Sequence, residues 1–233
     1  MNWENISGIL ESEIEKMIDV HIKTEPELKL TRNEIHLRIR EIHEETENIW
    51  NEIIKNFSPD NKIKYLLIGE APPWKNPHEK ISYFYYEKSE RTTLLNLFFR
   101  CFSGIEDIKN IKNEDKIDFL NNNGFLLIDF LPVSFNYSYL KNSKDKKIYK
   151  NLLKNSISFF NYKLSLINNY LDNDSVILIS YSRLHENIHT NFNYDDFIIN
   201  YFFGEECLNS KKFGRVNTYG SLYKENIING FGI

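Results

Sequence analysis

A short apolar run that ends in a glycine, an acid and two prolines constrains this chain more than any other stretch. The run is Tyr65-Leu66-Leu67-Ile68-Gly69, and Glu70-Ala71-Pro72-Pro73-Trp74 follows it directly. Continuous hydrophobic runs of this length are typical of strands in parallel sheets, whose ligands bind beyond the carboxyl ends of the strands. The stretch therefore predicts a buried parallel strand over 63–69 that delivers a functional loop at its carboxyl end.

Two further apolar runs repeat this pattern. Residues 125–132 form the second predicted strand, with Asp129 near its carboxyl end, and residues 175–180 form the third. Segments of helical spacing separate the strands, which favours right-handed crossovers and helix layers on both sides of a sheet. With an edge strand predicted at 213–219, we expect a three-layer α/β/α sandwich around a mainly parallel four-stranded sheet.

Helical patterns fill much of the remaining chain. Residues 1–60 are predicted to form a helical N-terminal extension to the α/β domain at 61–233, and Thr31 with Glu34 predicts a capping box. Further helices are expected at 91–102, at 113–122 before Gly124, and as one long helix from the lysine-rich segment to about Leu171. Residues 195–203 fit a helix or a strand, and a last loop or helix begins at 220–221.

Composition limits the classes of function. The 233-residue chain has a net charge of −4, so any DNA binding must use a local basic face. The two cysteines, Cys101 and Cys207, are too few for a four-thiolate zinc or iron–sulfur site, and we expect both to be reduced. The acidic amphipathic start and the lack of a membrane-length apolar run predict a cytoplasmic protein without contact to a membrane.

The motifs resemble those of the uracil-DNA glycosylase superfamily. Residues 69–73 resemble its first motif in the variant Gly-Glu-Ala-Pro-Gly, and Tyr83-Phe84-Tyr85 resembles the segment that places an aromatic ring under the flipped base. Residues 126–129 are similar to the strand whose final residue, usually Asn, reads the base edge. The order of elements agrees from about residue 63 to the end, and residues 1–60 are not covered.

The chain also departs from that superfamily in two motifs. The branch with a Gly-Glu-Ala-Pro-Gly motif usually has four cysteines for an iron–sulfur cluster, which this chain lacks. The late His-Pro-Ser motif, whose histidine lies near the leaving base, is replaced by Tyr219-Gly220-Ser221-Leu222. The sequence therefore leaves open which group stabilises the leaving base.

The resemblance implies a role for each matched residue. Glu70 would stabilise positive charge on the sugar and orient a water, and Phe84 or Tyr85 would stack on the base unless these rings belong to the loop core. Asp129 stands where asparagine usually does, and an ionised aspartate only accepts hydrogen bonds, which favours the amino group of cytosine over O4 of uracil. The alternatives are that burial protonates Asp129, which then donates a hydrogen bond, or that Asp129 is a structural acid that binds a loop amide.

The sequence thus predicts a monofunctional DNA glycosylase that leaves an abasic site and needs no metal or other cofactor. Its predicted substrate is a modified cytosine, for example in phage DNA, because excision of plain cytosine would destroy the host genome. Alternatives are a uracil or deaminated-base repair enzyme, a non-catalytic DNA- or protein-binding module, and a hydrolase of nucleosides or nucleotides. DNA is the expected partner, as a duplex with a flipped base or as a single strand.

The predicted site residues fall into three groups. The catalytic group is Glu70, Tyr219 and Ser221; the base-binding group is Asp129, Phe84, Tyr85, Ala71 and Pro72; the DNA-binding group is Pro73, Arg183, His185, Lys144, Lys146 and Lys147. The lysines also fit a solvated helix face, and His185 also fits a helix surface.

Overall fold

Two α-helices precede each of the first three strands in the computed structural model, which describes residues 1–88, 93–140, 143–180, 184, 198–201 and 221–233. Its helices are α1 (Trp3–Thr24), α2 (Arg32–Ile53), α3 (Thr93–Ser103), α4 (Asn113–Asn122), α5 (Ser143–Asn155), α6 (Ile157–Ile167) and α7 (Ser221–Phe231). Its strands are β1 (Ile63–Gly69), β2 (Phe125–Asp129), β3 (Leu171–Ile179) and β4 (Ile198–Tyr201).

The four described strands form one open parallel sheet in the order β2-β1-β3-β4. Residues 66–69 of β1 and all of β2 are buried at consecutive positions, so both faces of these strands are covered. These features confirm the predicted α/β sandwich. The segment 195–203, left open between helix and strand, contributes β4, while the edge strand predicted at 213–219 lies outside the described residues.

Side chains cover the free edge of β2, which is an outer strand of the sheet. The Leu127 amide donates to the Tyr85 hydroxyl over 2.5 Å, and the Trp50 indole Nε1 donates to the Leu127 carbonyl over 3.0 Å. An edge strand otherwise presents unpaired backbone groups to other chains. Tyr85 and α2 therefore close this edge.

Local signals set several element boundaries as predicted. Thr31 is the N-cap of α2, and its capping box with Glu34 is formed. Gly124 has a φ of +79°, and a Cβ there would lie 2.8 Å from the Lys62 carbonyl, so glycine is needed between α4 and β2.

The predicted long helix from the lysine-rich segment to Leu171 is wrong. Ser156, with φ −83° and ψ −5°, separates α5 from α6, and Leu171 already begins β3. The predicted second strand at 125–132 is also too long, because β2 ends at Asp129. The early start of β3 creates a register shift against β1, where the Ser175 hydroxyl donates to the Ile63 carbonyl over 2.6 Å.

The N-terminal helices share one hydrophobic core with the sheet. Trp3, Met17 and Ile39 belong to the same buried cluster as Leu66 of β1 and Ile128 of β2. On another side of this core, Phe98 of α3 and Phe231 of α7 contact Phe125, with ring centroids 5.0 and 6.1 Å apart. Among the described helices, none is long and apolar enough to cross a membrane.

Candidate functional site

The two predicted functional acids meet at the carboxyl edge of the sheet. Gly69 at the end of β1 is the register partner of Asp129 at the end of β2, and Glu70 follows Gly69. The Phe130 amide donates to the Gly69 carbonyl over 3.0 Å, and the Leu131 amide donates to the Glu70 carbonyl over 2.8 Å. The two loops are therefore fastened together directly beyond the strands.

The strand order makes this edge a favourable place for a ligand. From β1 the chain moves to β2 on one side, whereas β3 leads to β4 on the other side of β1. Ligands of open α/β sheets bind where neighbouring connections leave in opposite directions. Glu70 lies at the β1 side of this switch point.

Gly69 allows the Asp129 carboxyl group to lie against the end of β1. A Cβ at position 69 would be 2.7 Å from Asp129 Oδ1, a separation that two such atoms cannot adopt. A larger residue than glycine in the Gly-Glu-Ala-Pro motif would therefore displace the Asp129 carboxyl group from the end of β1.

Asp129 is a buried acid with an unusual titration. Only 5% of its surface is exposed, the Tyr83 hydroxyl donates to it, and its Oδ2 has no hydrogen-bond partner among the described residues. Burial raises the pKa of Asp129 to about 7, against the opposing effect of the Lys163 charge. At neutral pH this carboxyl group is therefore present in both its neutral and its ionised form.

A buried ion pair lies within electrostatic range of Asp129. Lys163 of α6, only 2% exposed, pairs through Nζ with Glu47 of α2, which is 13% exposed. The same ammonium group lies 4.5 Å from the centroid of the Trp50 ring and 4.9 Å from that of Phe159. The Lys163 charge lowers the pKa of Asp129 and the Glu47 charge raises it, although burial dominates both.

The surroundings of Glu70 differ from those of Asp129, although both residues lie at the same edge of the sheet. The Glu70 side chain is half-buried, and the hydroxyl of Tyr149 on α5 donates to its Oε1. Lys146 and Lys147, predicted to bind DNA, are exposed on the same helix, one turn or less from Tyr149. Lys146, three residues before Tyr149, therefore lies on the same side of α5 as the tyrosine that contacts the predicted catalytic glutamate, whereas Lys147, two residues before it, lies on another side.

The two predicted base-stacking rings lie in the core. Phe84 is 8% exposed and Tyr85 is 2% exposed, and their ring centroids are 4.9 Å apart. Phe84 also contacts Phe98 at 6.0 Å and Phe125 at 5.6 Å, while the Tyr85 hydroxyl is used by β2. Their burial favours the interpretation of these rings as loop core over base stacking.

The remaining predicted site residues are placed only in part. In the loop after β1, Ala71 is half-buried, Pro72 is buried and Pro73 is exposed. Arg183, His185 and Tyr219 lie outside the described residues. Ser221 begins α7 and Lys144 lies in the first turn of α5, but their side chains are outside the described part of the chain.

No protein-family model, curated protein or solved structure matches this chain. Within the described residues there is also no group of three or more His, Cys, Asp or Glu side chains that could hold a metal ion. The arrangement at the sheet edge is therefore interpreted from its own chemistry, which is that of two carboxyl groups in different environments.

Four residues of this edge were not singled out from the sequence: Glu47, Tyr83, Tyr149 and Lys163. Lys163 had a recognisable signal, because it is a single cation among Phe159, Phe160, Leu164 and Ile167 on a largely apolar helix. Tyr83 lies in the aromatic segment Tyr83-Phe84-Tyr85, but nothing in the local sequence distinguishes it from its neighbours. Glu47 and Tyr149 lie in charged helical segments, where the sequence alone predicts solvated side chains.

Proposed function

We propose that this protein is a monofunctional DNA glycosylase of the uracil-DNA glycosylase type, acting in the cytoplasm on a base flipped out of DNA. The observation that carries the proposal is the pairing of Gly69 with Asp129, which brings Glu70 and a buried acid to one sheet edge. The resemblance of residues 69–73 and 126–129 to two motifs of that superfamily supports it, since these motifs supply both acids.

Glu70 is the proposed group near the sugar. Cleavage of the glycosidic bond builds positive charge on the sugar, which a carboxylate stabilises while it orients the attacking water. The hydrogen bond from Tyr149 fixes the orientation of the Glu70 side chain. Lys146, exposed one turn before Tyr149 on α5, is the proposed contact to a phosphate beside the flipped nucleotide.

Asp129 is the proposed reader of the base. In its neutral form the carboxyl group donates through one oxygen and accepts through the other, which matches N3 and the N4 amino group of cytosine. Such an acid also holds a proton next to N3 of the leaving base, a role that the missing histidine motif leaves unfilled. With a pKa of about 7, Asp129 holds that proton in part of the molecules at neutral pH and in most of them below about pH 6.

We propose a modified cytosine as the main substrate, for example in phage DNA, as in defence against infection. The titration of Asp129 also favours uracil as a second candidate, because the neutral acid can donate to O4 and accept from N3–H. The ionised carboxylate would oppose O4 of uracil with a second acceptor. Cleavage of uracil is then expected to decline as the pH rises through about 7.

The test is incubation with oligonucleotides that carry uracil, cytosine or bulky 5-substituted cytosines, followed by alkaline cleavage of abasic sites. We expect abasic sites with at least one cytosine derivative. Glu70→Gln should lower turnover by about 10²–10⁴ with little change in DNA binding. Glu87→Gln, a change of an exposed glutamate, is the matched control. Absence of abasic sites from every substrate would overturn the proposal.

A further inference from the structure

A row of aromatic rings runs from Glu70 along the surface of the loops beyond the sheet. The ring of Tyr149 lies 5.4 Å from that of Tyr137, Tyr137 lies 5.9 Å from Phe135, and Phe135 lies 6.5 Å from Trp74, measured between centroids. Trp74, Tyr137 and Tyr149 are half-buried, whereas Phe135, which contacts both Tyr137 and Trp74, is buried. We call the three half-buried residues the aromatic rim.

Hydrogen bonds hold the polar ends of these rings in place. Trp74 Nε1 donates to Asn76 Oδ1 over 3.2 Å, the Tyr137 hydroxyl donates to the Val133 carbonyl over 2.7 Å, and the Tyr149 hydroxyl donates to Glu70. The polar atoms are thus engaged within the protein, so the part of each ring that remains exposed is largely apolar. Pre-positioned aromatic surfaces of this kind stack on nucleobases whatever their sequence.

Positive charge lines the same surface. Lys146 and Lys150 are exposed on α5 at three residues before and one residue after Tyr149. Residues three and four apart are neighbours on a helix surface, so Lys146, Tyr149 and Lys150 lie together. In a chain of net charge −4, this local cluster complements a phosphate backbone.

We propose that the aromatic rim, together with Lys146 and Lys150, binds single-stranded DNA beside Glu70. Rings stack on bases that are not stacked on their own neighbours, whereas the bases of a duplex are covered by adjacent pairs. The surface therefore selects nucleotides that flank the reacting base in an unpaired strand. This inference deepens the proposed function by assigning the form of its substrate, and it rests on that function only for the identity of the cleaved base.

The test is fluorescence anisotropy of the full chain with a labelled oligothymidylate and with a duplex of the same length. We expect the single strand to bind at least 10-fold more tightly. Trp74→Leu and Tyr137→Leu should each weaken its binding about 5-fold or more, since each removes one stacking ring. Trp74→Phe and Tyr137→Phe keep a ring and should retain most of the affinity, as should Tyr162→Leu, which alters a 40% exposed tyrosine on α6.

The lysines are tested separately through the salt dependence of binding. Replacement of Lys146 and Lys150 by alanine should reduce the slope of log affinity against log salt concentration by about 1.4, because each lysine neutralises about one phosphate and each phosphate of a single strand contributes about 0.7 to the slope. A control double variant at the exposed Lys23 and Lys109 should leave the slope unchanged. An unchanged slope in the first variant would contradict the role of α5.

Equal or tighter binding of the duplex would overturn the inference, as would unchanged binding by both leucine variants. Tighter binding of the matching ribonucleotide strand would overturn the assignment to DNA. Binding is measured without cleavage, so the outcomes separate the two proposals. Ring-dependent binding of the single strand without abasic sites from any substrate would leave this inference standing and remove the glycosylase. Abasic sites in duplexes without ring-dependent binding of the single strand would support the glycosylase and overturn this inference.

Discussion

Glu70 and Asp129 lie at the same edge of the sheet, yet their surroundings differ in almost every respect. Glu70 is half-buried on a loop and receives a hydrogen bond from the half-buried Tyr149. Asp129 is buried, receives a hydrogen bond from the buried Tyr83 and titrates near pH 7. Pairs of carboxyl groups in such different environments are how one site supplies both an acid and a carboxylate.

The difference arises from what covers each strand end. The edge of β2 is closed by Trp50 of α2 and by Tyr85, and the Lys163–Glu47 pair lies nearby. Beyond β1 the chain instead continues into the loop with Pro72 and Pro73, which reaches the surface at Pro73. The comparison indicates that residues of α2 and α6, distant in sequence, determine the chemistry available to Asp129.

The largest expected effect separates the roles of the two acids. Asp129→Asn keeps the shape of the side chain but fixes one donor and one acceptor and cannot hold the extra proton. At pH 9, well above the Asp129 pKa of about 7, we expect the ratio of uracil to cytosine-type cleavage to rise by up to about 10⁴, measured as kcat/KM on each substrate, and at pH 5, where the acid is neutral, to change much less. Glu70→Gln should instead lower kcat for all substrates and leave this ratio unchanged. If the uracil-to-cytosine ratio changes in Glu70→Gln and not in Asp129→Asn, the roles assigned to the two acids must be exchanged.

The next effect concerns the polar and charged side chains that lie near each acid. Lys163→Met leaves Glu47 buried without its partner and should cost about 3–5 kcal/mol of the free energy of unfolding in urea. The double variant with Glu47→Met should recover most of this loss, because an apolar pair of similar size is tolerated there. Beside the half-buried Glu70, Tyr149→Phe should change the free energy of unfolding by less than about 1 kcal/mol. Equal losses at both sites would contradict the contrast between them.

The burial of Asp129 also predicts how stability changes with pH. Its pKa is raised from an ordinary value of 3.8 to about 7 in the folded state, so its contribution is complete below about pH 4 and is lost as the pH rises through 7. The loss amounts to up to about 4 kcal/mol at pH 8. Asp129→Asn should therefore be stabilising at pH 8 and much less so at pH 5, as measured by urea unfolding. A difference that does not depend on pH would show that Asp129 is ionised in the folded protein.

The smallest expected effect tests whether Tyr85 is a structural residue that covers the edge of β2. Tyr85→Phe leaves the Leu127 amide buried without an acceptor and should cost about 1–3 kcal/mol in thermal or urea unfolding. If Tyr85 is structural, this variant should keep the cleavage rate and substrate preference of the parent protein. A loss of activity at unchanged stability would return Tyr85 to the base-binding group.

Local patterns in the sequence predict most of the elements that position the site. The apolar run before Gly69 predicts β1, the Thr31 capping box predicts the start of α2, and Gly124 predicts the end of α4. Each depends on residues that are close in the chain. The break at Ser156 has no proline or glycine to signal it, so a continuous helix was expected there.

The chemistry of the site depends on contacts that the sequence does not indicate. Asp129 could be placed at a strand end, but its protonation depends on how deeply α2, α6 and the loop at Tyr83 bury it. Phe84 and Tyr85 lie in an exposed-looking loop sequence, yet the loop folds back onto α3 and β2. Long-range packing thus decided which aromatic residues are core and which, like Trp74 and Tyr137, reach the surface.

The titration of Asp129 itself tests the account most directly. Carbon-13 NMR of the side-chain carboxyl groups, with the Asp129 signal assigned by its absence in Asp129→Asn, gives the midpoint in the folded protein. We predict a midpoint near pH 7, because burial disfavours the charged form. A midpoint near pH 4 would mean that Asp129 is an ordinary ionised carboxylate, and the contrast between the two acids would be wrong.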